Sequence, residues 1–158
     1  MKIEYIKTKI SKRGQLASTV SLEHITAIFA EHLLTHPELL NSMHPHFKQL
    51  WTWHAIEEIE HKNVAMDTIN AIGGGKLRLS MMLTTMNFIW DITRNTVVLL
   101  KADNQLWKWQ TVKDAWTMLF DKQSGVIRCS AKHMWDFMRA DWHPNQTDHS
   151  ILLKYSKE

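Results

Sequence analysis

Apolar residues recur along this chain with a helical period. Over residues 15–35, Leu16, Val20, Ala27, Ala30 and Leu34 fall on one stripe at spacings of three and four, with Glu23 as the one charge in its middle. Pro37 ends that helix, because its ring removes the backbone donor and biases His36 away from helical geometry. After the connection PELLNSMH, Pro45 is well placed as the first residue of a second helix, which the pattern carries to about residue 72. Gly73, Gly74 and Gly75 then stop it. They do not form a phosphate-binding loop, since no strand precedes them and G-x-x-x-x-G-K-[ST] is missing. Helical character resumes over residues 76–102, over 111–120 with Thr111 and Asp114 as a capping pair, and over 126–140 after Gly125. Residues 1–14 read as a charged lead-in. No stretch shows strand alternation, repeat or low complexity. The expected fold class is all-α: a helical bundle in one domain over residues 1–158, with a hairpin at 15–72 and additional C-terminal helices at 76–158.

Composition narrows this picture in a few places. A chain of 158 residues is long enough to bury a sizeable core. Its eight Trp and nine Met are many, and both types are expected to fill the gaps between helices. The net charge of +3 is small and dispersed, with no basic stripe, which argues against nucleic acid as a partner. A single cysteine, Cys129, excludes an internal disulfide and suits a reducing compartment; with only His133 near it in sequence, it reads as a small core residue. The N-terminus lacks the apolar run of a signal peptide, so a cytoplasmic location is the default expectation. The most apolar stretch, residues 79–90, is too short to span a bilayer but compatible with peripheral membrane contact.

Candidate chemistry concentrates in WTWHAIEEIEHKNVAMD, residues 51–67. At about 3.6 residues per turn, His54, Glu58 and His61 share one helix face with Trp51, Ala65 and Ile69, and that face is expected to point inward. A buried carboxylate must be paired, protonated or metal-bound. Glu58 and His61 form an E-x-x-H pair, the contribution each such helix makes in di-iron and di-manganese bundles, where a partner helix adds another Glu. Glu23 is that candidate. It lies as far before the Pro37–Pro45 turn as Glu58 lies after it, so antiparallel packing sets the two at about the same height. His54 is a reserve ligand. Glu57, four residues before His61, is the alternative to Glu58 in a bridging or catalytic role. Asp141, His143, Asp148 and His149 cluster near the C-terminus beside Pro144 and Asn145, a composition that reads as an exposed turn. His24, His32, His36, His44 and His46 are expected mostly at the surface or behind the ligands.

WHAIEEIEHKNVAMD, with SLEHITAIFAEHLL upstream and the glycine break after it, resembles the bacterial family of predicted metal-dependent hydrolases, grouped with ferritin-like proteins. The resemblance runs from about Leu16 to His143 and Pro144; it is specific in WHAxEExEH and looser beyond Gly75. It implies full-length relatives with a preceding helix pair that supplies a further Glu and a further E-x-x-H-type motif. Only residues 1–22 precede Glu23 here, so that half is expected to be missing, and a homodimer of the hairpin is expected to restore the bundle.

Metal-dependent hydrolysis of an unknown small-molecule substrate is the leading reading. Glu23, Glu58, His61 and His54 would hold one or two divalent ions (Fe, Mn or Zn), and Glu58 and Glu57 would act as catalytic carboxylates. Two alternatives stay open: a di-iron oxidase or oxygenase, and a non-catalytic module that binds a partner or a membrane surface.

Overall fold

The computed structural model describes residues 9–139, 141–149 and 152, and the side chains of all of these except residues 75 and 76. Every regular element among them is helical, so the class is all-α. In chain order these are α1 (Lys12–Thr35), α2 (Pro37–Asn41), α3 (Pro45–His61), α4 (Val64–Ala71), α5 (Arg78–Ala102), α6 (Trp109–Phe120) and α7 (Val126–Phe137). Single 3-10 turns occupy Gly74–Leu77 and Pro144–Gln146. Most of the lead-in and the expected helix end at residue 140 lie outside the described residues.

The helix α1 runs through the middle of the assembly, against α3 and α4 on one side and α5 on another. It starts earlier than the apolar stripe, because Ser11 Oγ accepts the Gly14 amide at 3.2 Å and caps the first turn. Its burial is also wider than one stripe: Ala17, Ser21, His24, Ile25 and Ile28 are covered as well as Val20, Ala27, Ala30 and Leu34. Toward α5 the contact is small and polar. Ser21 Oγ donates to the Met81 carbonyl at 2.6 Å and lies 2.5 Å from Thr85 Oγ1, so the short side chains bring the helices close while their hydroxyls stay satisfied.

The second helix is not continuous to residue 72. Its backbone ladder is interrupted at Lys62 and Asn63, although both keep right-handed helical dihedrals. Ala65, on the first turn of α4, has its amide close enough to the Glu23 carboxyl of α1 to work against the rise in that group's pKa. The glycine stop is where expected. Gly73 has φ of 69°, a left-handed conformation that glycine adopts without a steric penalty.

Two apolar clusters flank the middle of α1. One joins Ala17 and Val20 to Met66, Ile69, Met81 and Phe137; the other joins Ala30 and Leu34 to Ala55, Ile56 and Ile59. Residues 23–26 lie between them. Arg78, at the start of α5, is buried and closes the first cluster, its guanidinium donating to the carbonyls of Phe137 at 3.2 Å and Trp142 at 2.8 Å while lying over both rings.

The tryptophans correct the packing expectation, since all but Trp142 are exposed. Helix α6 buries none of its residues, and α5 leaves Leu83, Met86, Ile89 and Trp90 uncovered, because no element among the described residues packs over them. Lys108 at the N-terminus of α6 makes no side-chain cap; Asp114 accepts from Gln110 at 2.7 Å in place of the expected pairing with Thr111. No helix among the described residues is long and apolar enough to cross a membrane.

Candidate metal centre

Glu23 sits between the two apolar clusters, partly buried. Burial raises its carboxyl above the ordinary value; the Ala65 amide opposes this, the charge of Glu58 adds to it, and His61 works against it. Those forces locate the group: Glu58 and His61 are near enough to act on Glu23, whereas Glu57 is not among the residues that do. Glu23 Oε2 is buried with no hydrogen-bond partner. An unsatisfied carboxylate oxygen is costly, and a bound cation relieves that cost directly.

Glu58 is hydrogen-bonded at one oxygen and approached by an imidazole at the other. From α1, Thr26 Oγ1 donates to Oε2 at 2.5 Å; from one turn earlier on α3, His54 Nε2 lies 3.5 Å from Oε1. The Leu22 and Glu23 carbonyls also lie 3.0 and 3.2 Å from the Thr26 hydroxyl, but the carboxylate is the nearer and stronger acceptor for its single proton. Thr26 is three residues from Glu23, so the two carboxylates share a height to within a turn, as the count from the prolines predicts.

The motif face is only half inward. Ala65 and Ile69 are buried, Glu58 is partly buried, and Trp51 and His61 are exposed. His61 is the last residue of α3, beside the break, where one neighbouring helix leaves the side open. The cluster is therefore a rim site in the α1/α3 cleft, and its donor atoms are further apart than those of His32, His36 and Cys129, which all lie within 4.8 Å of one another.

A second polar group lies two turns further along α1. Glu31 Oε2 is 2.9 Å from His149 Nε2 and 3.6 Å from His133 Nε2. Lys62 Nζ donates to the Thr147 carbonyl at 2.9 Å and to His149 Nδ1, so the Nε2–H of His149 donates to Glu31. These groups line a cavity of about 20 Å³, room for one water. His24 on its wall stacks on Phe137 at 4.2 Å, and burial lowers its pKa to about 3, against a hydrogen bond to the His133 backbone that raises it. The C-terminal polar cluster is thus a set of tethers. His143 binds Asp67 at 2.9 Å, His149 binds Glu31, and Asp141 pairs with Arg139 at 2.8 Å. The exposed-turn expectation holds for Asp141, Asn145 and Asp148 and fails for Trp142, Pro144 and His149, which are buried.

Sequence spacing also missed the burial of His24 and His32 and the position of Cys129, which is only partly buried and lies beside His32 and His36. The available signal was local: His32 and the C-cap residue His36 are one turn apart at the end of α1.

Carboxylates and imidazoles facing each other across helices define the class of metal-binding helical proteins. The chain belongs to the family described as predicted metal-dependent hydrolase, whose family model matches residues 1–148. Neither the curated proteins nor the solved structures compared with it include a match. Membership implies a divalent metal ion. Glu23, which has an unpartnered oxygen, and Glu58 and His61 are the residues that would hold it in the α1/α3 cleft, although their donor atoms do not all lie within 4.8 Å of one another.

Proposed function

We propose that this chain hydrolyses a small-molecule substrate at a metal centre in the α1/α3 cleft, with Glu23, Glu58 and His61 as ligands and His54 in reserve. The observation that carries this is Glu23 Oε2, buried and unpartnered on a carboxyl group that faces Glu58 and His61. Oxygen and nitrogen donors of this kind suit Fe, Mn or Zn. Such an ion, when bound, polarises an ester, amide or phosphoryl oxygen and lowers the pKa of a water toward neutrality. Thr26 and His54 fix the direction of the Glu58 oxygens, the role of groups behind a ligand. Glu58 is the carboxylate placed to accept the proton of an attacking water, with Glu57, next to it in the chain and partly buried, as the alternative. Family membership favours hydrolysis over oxygen activation and over a non-catalytic role.

The reading extends to a homodimer. A complete two-metal bundle site takes four carboxylates and two imidazoles, of which Glu23, Glu58 and His61 are half. A two-fold interface presents the same patch twice, and α3 exposes Phe47, Leu50, Trp51 and Trp53, side chains suited to an apolar interface core.

Elemental analysis of the purified chain and of a Glu58→Ala, His61→Ala double variant tests this, alongside turnover of generic ester and phosphoester substrates. The expected result is about one Fe, Mn or Zn per chain that the double variant loses together with turnover. A metal count that the variant leaves unchanged, or no metal in either protein, overturns the centre. A metal-loaded monomer in light scattering overturns the dimer.

A further inference from the structure

The C-terminal end of α1 and the start of α7 meet at a group that the proposed centre does not use. His32, His36 and Cys129 each bring a donor atom within 4.8 Å of the other two. His32 is 9% exposed, and its Nδ1 is buried with no hydrogen-bond partner.

His36 carries the stronger argument. Its Nδ1 lies 2.8 Å from the His32 carbonyl and its Nε2 lies 3.3 Å from the Gln123 carbonyl. Both oxygens can only accept, and a neutral imidazole has one N–H. With Nδ1–H donating to His32, Nε2 points a lone pair at the oxygen of Gln123. The sulfur of Cys129 lies 3.6 Å from the same oxygen. The Cys129 thiol can give its one proton to that oxygen, which leaves the His36 Nε2 lone pair and the unpartnered His32 Nδ1 unmatched, and a cation in their midst satisfies them.

The surrounding backbone is fixed for this. Asp121 Oδ1 accepts the amides of Gln123 and Ser124 at 2.8 and 2.9 Å. A Cβ on Gly125 would stand 2.4 Å from the Asp121 carbonyl, so the turn that aims the Gln123 carbonyl closes only around glycine. The carbonyl end of α1 carries negative partial charge, which favours a cation there.

We propose that His32, His36 and Cys129 form a second, structural metal site for Zn²⁺, with the Gln123 carbonyl as a fourth ligand, distinct from the centre at Glu23. Two nitrogens, a thiolate and an oxygen make a tetrahedral donor set of borderline softness, which suits Zn²⁺ better than Mg²⁺ or Mn²⁺. Zn–N bonds of about 2.0–2.1 Å and a Zn–S bond of about 2.3 Å put ligand atoms roughly 3.5 Å apart, so the site closes by a small contraction. The ion replaces the thiol proton and staples the 121–125 turn and α7 to the end of α1.

Cys129 is the single cysteine, so a thiol reagent reads this site alone. Labelling of Cys129 in the full chain is measured with and without one equivalent of Zn²⁺, and Co²⁺ is added separately to look for the thiolate-to-metal charge-transfer band. Expected is slowing of labelling by about tenfold or more, because the bound thiolate is no longer a free nucleophile. A Co²⁺ band should appear that Cys129→Ser and His36→Ala abolish and that the Glu58→Ala, His61→Ala variant keeps. His36 is only partly buried, so its variant should fold. Unchanged labelling with Zn²⁺, or protection that survives His36→Ala, overturns the proposal whether or not the Glu23 centre binds metal.

Discussion

Thr26 of α1 donates to Glu58 of α3 across 2.5 Å, which makes one hydroxyl both a register pin for the hairpin and an orienting group for a proposed ligand. Thr26→Val keeps the shape and removes the donor. Calorimetric titration with Mn²⁺ should show affinity falling about tenfold or more, and urea unfolding should show a loss of about 1 kcal/mol. Thr26→Ser should restore both. Equal Mn²⁺ affinity in Thr26→Val and the parent would mean that Glu58 does not depend on this bond.

Glu23 is held in a place that favours its protonated form. Burial is the main cause and the Glu58 charge adds to it, so the folded chain binds this proton more tightly than the unfolded chain. Metal-free stability therefore falls as pH rises from the ordinary value of 4.5 through the raised folded value. Glu23→Gln removes that cost. Its partial exposure limits the gain to about 0.5 kcal/mol at neutral pH, with little difference below the ordinary carboxyl range. The same variant should lose the metal, trading stability against function. Thermal unfolding of metal-free protein at two pH values decides it; a Gln variant less stable than the parent at neutral pH would contradict the unpartnered oxygen.

The helices and the pairing of the first two long ones, with Thr26 three residues from Glu23 reaching Glu58, were legible because both depend on local periodicity and on one proline-bounded turn. The break in the motif helix was not: it falls at Lys62 and Asn63, which keep right-handed helical dihedrals, and no glycine or proline marks the place. That break also explains why His61, predicted inward, stands at an open rim. The tail defeated composition for a similar reason: Pro144 and Asn145 signal a turn, but nothing local says that His149 will find Glu31 or that Trp142 will close over Arg78. Cys129 was misread because its neighbours, His32 and His36, come from a distant part of the chain.

His24 should dominate the pH dependence of stability just below neutrality. Burial lowers its pKa from 6.5 to about 3 in the fold, so between these values the unfolded chain binds one more proton. Stability is fully present above pH 6.5 and is lost as pH falls below it, by up to about 1.4 kcal/mol per unit. His24→Met keeps an apolar filler against Phe137 and cannot titrate. Urea unfolding should show the parent losing about 1.5 kcal/mol more than the variant between pH 6.5 and 5. Parallel curves would mean that His24 accepts a proton inside the fold.

The tie between Glu31 and His149 should decide whether the C-terminal segment stays on the bundle. Burial raises the Glu31 carboxyl, but the His149 hydrogen bond and the charges of His133, His149 and Lys62 together outweigh it, leaving the pKa below 4.5. The stabilisation is present above 4.5 and is lost as pH falls through the lower folded value. Glu31→Gln weakens the pairing to His149 and His133 and leaves Lys62 with Asp148 as its nearby countercharge, at a cost of about 1–2 kcal/mol. Because Lys62 sits at the break between α3 and α4 and donates to Thr147, the loosening should appear first at residues 141–149. Hydrogen exchange followed by mass spectrometry should show faster exchange there at neutral pH, with α1 and α5 unchanged. In the parent the same change should appear only as pH drops below the ordinary carboxyl range. Uniform acceleration across all helices would instead make Glu31 a determinant of global stability.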